Sequence, residues 1–156
     1  MHPALQDFKR KHGIDRIAGL MMLHYFKWPW CLEELAACAD ELYLLLHYSP
    51  GQQEEHWPGQ VAGVARIEEI RETEDWRVNG WYARSGSSHQ GEFRERALRM
   101  LDGVRPDLVL FPDEDESFPE PELLARDLDR FQRSRRRQLA FTRCNFWDSR
   151  DLVRKD

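Results

Sequence analysis

Two uninterrupted apolar runs open the organised part of the chain. Ile17-Ala18-Gly19-Leu20-Met21-Met22-Leu23 and the run from Leu42 to Leu46 show no polar alternation. That is the pattern of strands covered on both faces. Between them, Pro29 suits the first turn of a helix. Leu32, Leu35 and Ala39 follow at helical spacing, and Glu33 and Glu34 are expected in the first turn, where the dipole favours acids. Pro50-Gly51 closes the second run as a turn. Strand, helix and strand within about 30 residues predict a crossover between parallel strands.

The pattern continues less cleanly. Residues 51–59 read as loop and Val61 to Ile67 as a third strand, while Glu68 to Gly86 carries Trp76 and Trp81 but no clear period. Phe93, Ala97 and Leu101 place a helix over Gln90 to Leu101, stopped at Gly103. Asp107 to Phe111 is a short buried strand, Leu123, Leu124, Leu128 and Phe131 mark a helix after Pro119 and Pro121, and Gln138 to Phe146 reads as a last strand. Residues 1–15, with Leu5 and Phe8 as anchors, form an arm or short helix before a single domain over 16–156. Alternating helices and buried strands predict a three-layer α/β/α sandwich on a mostly parallel sheet.

Composition narrows the function classes. The 156 residues carry 23 basic and 28 acidic side chains, a net charge of −5. That disfavours a chain coating nucleic acid by net charge, though a local basic patch is still allowed. No apolar run reaches the roughly 20 residues of a membrane span, and the first residues lack a signal-peptide pattern. Three cysteines, with no CxxC pair, argue against zinc or a disulfide framework. Cys31 and Cys38, two turns apart on one helix, are expected in the core. Together these features predict a cytoplasmic protein.

The segment that carries chemistry is Leu108-Val109-Leu110-Phe111-Pro112-Asp113-Glu114-Asp115-Glu116. Four carboxylates follow the end of a buried strand, the edge where open α/β sheets bind ligands. Like charges this close repel unless a cation offsets them. A hard divalent ion takes one or two carboxylates together with substrate phosphates. The plainer alternative is a solvated acidic loop, and Glu120 and Glu122 extend the acidity.

This strand and its acids resemble the DxD segment of glycosyltransferase family 2, which has the GT-A fold. The resemblance spans roughly residues 16 to 156. It includes the first strand, the helix from Trp30 to Ala39, the strand Glu41 to Leu46, and the helix Glu92 to Leu101 with Arg94 and Arg96 ahead of the acidic strand. Asn145-Phe146-Trp147-Asp148, followed by Arg154-Lys155-Asp156, also resembles a segment found after the motif in some members. The resemblance implies a hexosyltransferase using a nucleotide-sugar donor and Mn²⁺ or Mg²⁺. Asp115 would ligate the metal. Asp113 would face the ribose or the metal's water shell, and Glu116 would support the site or touch the sugar. A cation there would stabilise the charge growing on a departing nucleoside diphosphate. Arg94 or Arg96 would add a phosphate contact, unless both lie on a solvated face beside Glu92 and Glu95. Ser49 and Gly51 occupy the place of the family's base-holding loop.

The chain departs from that family at three points. His24-Tyr25-Phe26-Lys27 stands where an Asn-Glu pair is usual, the loop after the second strand lacks its acid, and about 40 residues follow the motif where members carry a long acceptor-binding half. Asp148 and Asp156 are late acids to which no base role transfers. The acceptor is left open among glycan, small molecule and nucleic acid, and so is a homo-oligomer or a partner chain. The alternatives are an inactive GT-A-like binding or assembly module and, more weakly, a metal-dependent nuclease using Asp113 and Asp115. His24 and His47 fall near strand ends and are either packed residues or phosphate and proton-transfer groups. Arg133, Arg135, Arg136 and Arg137 either meet an anionic acceptor or balance the acids of their own helix, and the six tryptophans are either stacking faces or core.

Overall fold

A computed structural model describes residues 1–71, 89–118, 120–134, 145–147 and 149–154. Four parallel strands form one sheet in the order β3-β2-β1-β4: β1 (Ile17–Leu23), β2 (Glu41–Tyr48), β3 (Val64–Arg71) and β4 (Leu108–Leu110). Four helices accompany it: α1 (Pro3–His12), α2 (Pro29–Cys38), α3 (His89–Arg99) and α4 (Pro121–Arg133). A short hairpin, β5 (Asn145–Trp147) with β6 (Ser149–Arg154), forms a separate two-stranded sheet.

The unbroken apolar runs have a plain cause. Every residue of β1 is buried. Ile17, Met21 and Leu23 join Leu44, Leu46, Cys31, Leu35 and the α1 and α4 anchors on one face of the sheet. Ala18, Leu20 and Met22 join Tyr43, Leu45 and the α3 residues Phe93 and Ala97 on the other. A strand covered on both sides has no polar position to offer. Gly19 is required where α2 crosses the sheet. A Cβ there would stand 2.7 Å from Leu42 and 3.0 Å from Leu35.

The polar N-terminal segment is helical and docks on α4, with Lys11 and His12 both bonded to Asp129. Cys31 and Cys38 are fully buried, and burial pushes the Cys38 thiol up to about 12. The helix predicted over Gln90 to Leu101 is α3, and its Phe93, Ala97 and Leu101 are buried as their spacing predicts.

Some expectations shift. Because α2 starts at Pro29, Glu33 and Glu34 lie beyond its first turn. Trp57–Gln60 forms a 3-10 turn at the end of the predicted loop. The third strand begins three residues later than expected and takes in Glu68 and Glu69. Gly63, at φ 86°, holds the turn before it. Among the described residues, β3 borders β2 on one side only and exposes much of its length, so it tolerates charge that a central strand would not. The expected strand over Gln138 to Phe146 is described only from Asn145, where it is one arm of the β5–β6 hairpin. Trp76, Trp81, Cys144, Asp148, Lys155, Asp156, the loop at Ser85-Gly86-Ser87-Ser88 and Arg135, Arg136 and Arg137 lie outside the described residues.

Candidate functional site

Strand order decides where a site can form. The chain lays down β1, β2 and β3 in one direction and then returns through α3 to set β4 on the far side of β1. The loops after β1 and β4 therefore sit side by side where the strand order reverses, both leading to helices on the same face, and leave a crevice between them, the position at which open α/β sheets bind ligands. A cavity of about 170 Å³ lies there, lined by Met22, His24, Tyr25, Trp28, Asp113, Glu114 and Asp115. Asp113 and Asp115, the principal acids of the sequence motif, are both in its wall.

The four acids have different local partners. Glu114 is 5% exposed, and its carboxylate accepts hydrogen bonds from the backbone N–H groups of His24 and Tyr25, the latter at 2.9 Å. It ties the β4 loop to the β1 loop. Burial pushes its carboxyl up to about 7; the two backbone donors oppose the shift, and the charges of Asp115 and Asp113 add to it. Glu116 accepts a hydrogen bond from the Asp113 N–H at 2.9 Å, while its own N–H donates to the Asp113 carbonyl at 3.0 Å. This reciprocal clasp fixes the turn that presents Asp113 and Asp115. Asp113 also meets Arg94 of α3, with Nη2 2.8 Å from Oδ1.

Histidines floor the site. His24 Nδ1 lies 2.8 Å from Nδ1 of the buried His47, so one ring donates and the other accepts. Burial and then the neighbouring His47 lower His24 to about 4, with Asp113 pulling the other way. The two rings pack against Phe93, the His47 centroid at 4.5 Å. At the rim, the half-exposed Tyr25 meets Trp28 edge-to-face at 6.2 Å. Phe26 sits at φ 57°, a conformation rare for a non-glycine residue, and its ring stacks on Tyr48 at 5.1 Å.

The remaining predicted site residues lie elsewhere. Arg96 reaches Glu68 and the Glu69 carbonyl, both at 3.5 Å, on the β3 side of α3. Ser49 is buried at the end of β2, and its N–H donates to Gln52 Oε1 at 3.1 Å. Gln52 in turn donates to the His24 carbonyl at 3.5 Å, so Ser49 supports the β1 loop but does not line the cavity. Arg133 pairs with Asp129 one turn back in α4, which agrees with internal charge balance. Glu95 pairs with Arg99 at 2.6 Å.

The sequence places Glu114 in the acidic cluster without a separate role, gives Tyr25 none, and leaves Trp28 as either a stacking face or core. Glu114 carried no signal that set it apart from the acids on either side of it. Tyr25 and Trp28 carried none, because aromatics near a strand end serve a core equally well.

The donor set bears on which ion would fit. Among the described residues, no group of three or more His, Cys, Asp or Glu side chains converges as a ready-made metal cage. Two carboxylates facing one small cavity suit a hard divalent ion that keeps water and takes its other ligands from a phosphorylated substrate. They do not suit a closed structural zinc site. Among the described residues, no helix is long and apolar enough to cross a membrane. No family model, curated protein or solved structure matches the chain, so the chemistry of the site rests on its own geometry.

Proposed function

We propose that this is the nucleotide-sugar-binding domain of a GT-A-like, metal-dependent glycosyltransferase, which moves a sugar from a nucleoside-diphosphate donor to an acceptor. The observation that carries this reading is the placement of Asp113 and Asp115 in a cavity at the switch point of a parallel sheet, opposite the β1 loop. The two acids would hold Mn²⁺ or Mg²⁺, and the ion would neutralise the departing diphosphate. Glu114 sets the distance between the two loops, and Glu116 shapes the acidic turn. Tyr25 and Trp28 offer flat apolar faces beside the charged wall, an arrangement that suits a sugar or a base.

A second reading, a binding module without transfer, draws on one observation. Among the described residues, the ionisable side chains in the cavity wall besides His24 and Tyr25 are the three acids of the β4 loop, and Glu114 is committed to the β1 backbone. A thermal-shift panel of nucleoside diphosphates and sugar nucleotides, with and without Mn²⁺, tests both readings. Binding to the folded state raises the melting temperature by mass action. A shift that needs Mn²⁺ and vanishes in Asp115→Ala is expected. A sugar nucleotide that binds but is neither hydrolysed nor transferred would leave the module, and a shift independent of metal would overturn the metal-dependent site.

A further inference from the structure

We infer that Arg94 is a built-in counter-cation for Asp113, that a divalent ion displaces it, and that the released guanidinium then turns to the diphosphate. The inference rests on the metal–diphosphate reading of the site and adds an order of events to it. Three observations point this way. Arg94 reaches Asp113 from α3, which lies on the face opposite α1, α2 and α4, and the contact is 2.8 Å. The Arg94 side chain is 42% exposed and that of Asp113 26%, so packing does not lock the pair. Asp113 also lines the cavity, so an ion held between Asp113 and Asp115 would compete for the carboxylate that Arg94 now holds.

The chemistry supports an exchange rather than a permanent bridge. Guanidinium keeps its charge at any working pH, and its planar fork matches phosphate as well as carboxylate. A partly exposed ion pair is worth little, so an incoming dication can separate it at small cost. Arg96 cannot substitute, because two residues further along the helix it points toward Glu68. Before the ion arrives, Arg94 offsets part of the repulsion among Asp113, Glu114 and Asp115. Once an ion had taken over that role, the Arg94 guanidinium would be released to pair with a phosphate held at the cavity.

The test measures two affinities that move in opposite directions. Mn²⁺ alone is titrated into the full chain and followed by electron paramagnetic resonance. Pyrophosphate, which carries no base, is then titrated at saturating Mn²⁺ by calorimetry. In Arg94→Gln, Mn²⁺ alone should bind about threefold tighter, the scale of one exposed ion pair. Pyrophosphate should bind about tenfold weaker, the scale of one charge-assisted contact. Arg94→Lys keeps the charge and loses the fork, so it should restore the weaker Mn²⁺ affinity and only part of the pyrophosphate affinity. Asp113→Asn supplies an independent arm: it frees Arg94, so metal-free pyrophosphate binding should strengthen relative to wild type.

If both affinities fall in Arg94→Gln, Arg94 is a structural brace and the exchange is wrong. If neither changes while wild type still binds Mn²⁺ and pyrophosphate, the exchange is again wrong and the transferase site stands. Wild-type protein that binds neither probe overturns both readings.

Discussion

The two edges of the sheet use acids in opposite ways. At the N-terminal edge, Asp40 and Asp107 hold the backbone. Asp40 accepts from the Ile17 N–H at 2.8 Å and from Lys9, and Asp107 accepts from the Asp15 and Arg16 N–H groups at 2.8 and 3.0 Å. The hydrogen bonds to Arg16 and Asp15 lower the Asp107 carboxyl. Together the two acids take up the backbone N–H groups of Asp15, Arg16 and Ile17, where the chain enters β1. At the C-terminal edge, three consecutive acids face one small cavity, where Glu114 meets backbone donors and Asp113 meets Arg94. Set on backbone donors, acids act as staples; gathered at a crevice, they line the candidate site. The same side-chain chemistry holds the backbone at one edge and walls a cavity at the other, and the partners each acid meets decide which.

The sharpest way to break this comparison is to exchange the edges. Asp115→Ala should abolish the Mn²⁺-dependent thermal shift, a loss of about 100-fold or more in affinity for a lost ligand. It should not lower stability, because Asp115 pushes unfavourably on Glu114. Asp40→Ala should do the reverse, costing about 1–2 kcal/mol by orphaning the Ile17 N–H and Lys9, with diphosphate binding unchanged. Denaturant melts and the thermal-shift panel on both variants check the pair. Equal effects on both assays would erase the distinction.

Glu114 should behave as a staple although it sits among the site acids. Glu114→Ala leaves the His24 and Tyr25 N–H groups without their acceptor and should cost about 2–3 kcal/mol in urea unfolding. Gly19→Ala attacks the sheet beneath both edges. Overpacking against Leu42 and Leu35 should cost about 1–3 kcal/mol and lower the melting temperature of free and ligand-bound protein alike.

The most gradual effect is a pH profile, measured without metal. Glu114 is raised from 4.5 to about 7, so its stability contribution is full below pH 4.5 and is lost as the pH rises through about 7. His24 is lowered from 6.5 to about 4, so its contribution is full above pH 6.5 and is lost as the pH falls toward 4. Between pH 4.5 and 6.5 the two slopes cancel. Glu114→Gln keeps an acceptor and removes one slope. Relative to wild type, its stability should therefore climb across that window by roughly 1 kcal/mol per pH unit. Parallel profiles for the two proteins would show that Glu114 titrates normally in the fold.

Legibility followed the physics of each element. β1 and β2 were plain because strands covered on both faces must be apolar throughout. β3 runs past its expected end because a half-exposed strand admits Glu68, Glu69 and Arg71, which leave no clear period in the sequence. The 3-10 turn at Trp57–Gln60 was hidden because four residues carry no period. In the site, the acidic run was conspicuous, yet the separate roles of its members were not. A row of carboxylates looks uniform until neighbours supply N–H groups to one, a guanidinium to another and an open cavity to a third.

By itself, the sequence determined an α/β chain with buried parallel strands and an acidic turn after β4, because periodicity and charge density are local properties. Tertiary structure alone decided that β4 lies beside β1, that Glu114 is buried and bonded to the β1 loop within the cavity wall it shares with Asp113 and Asp115, that Arg94 meets Asp113 while Arg96 does not, and that Tyr25 and Trp28 form the rim. Each of those pairings joins residues far apart in sequence. Strand order sets them, and no local pattern encodes it.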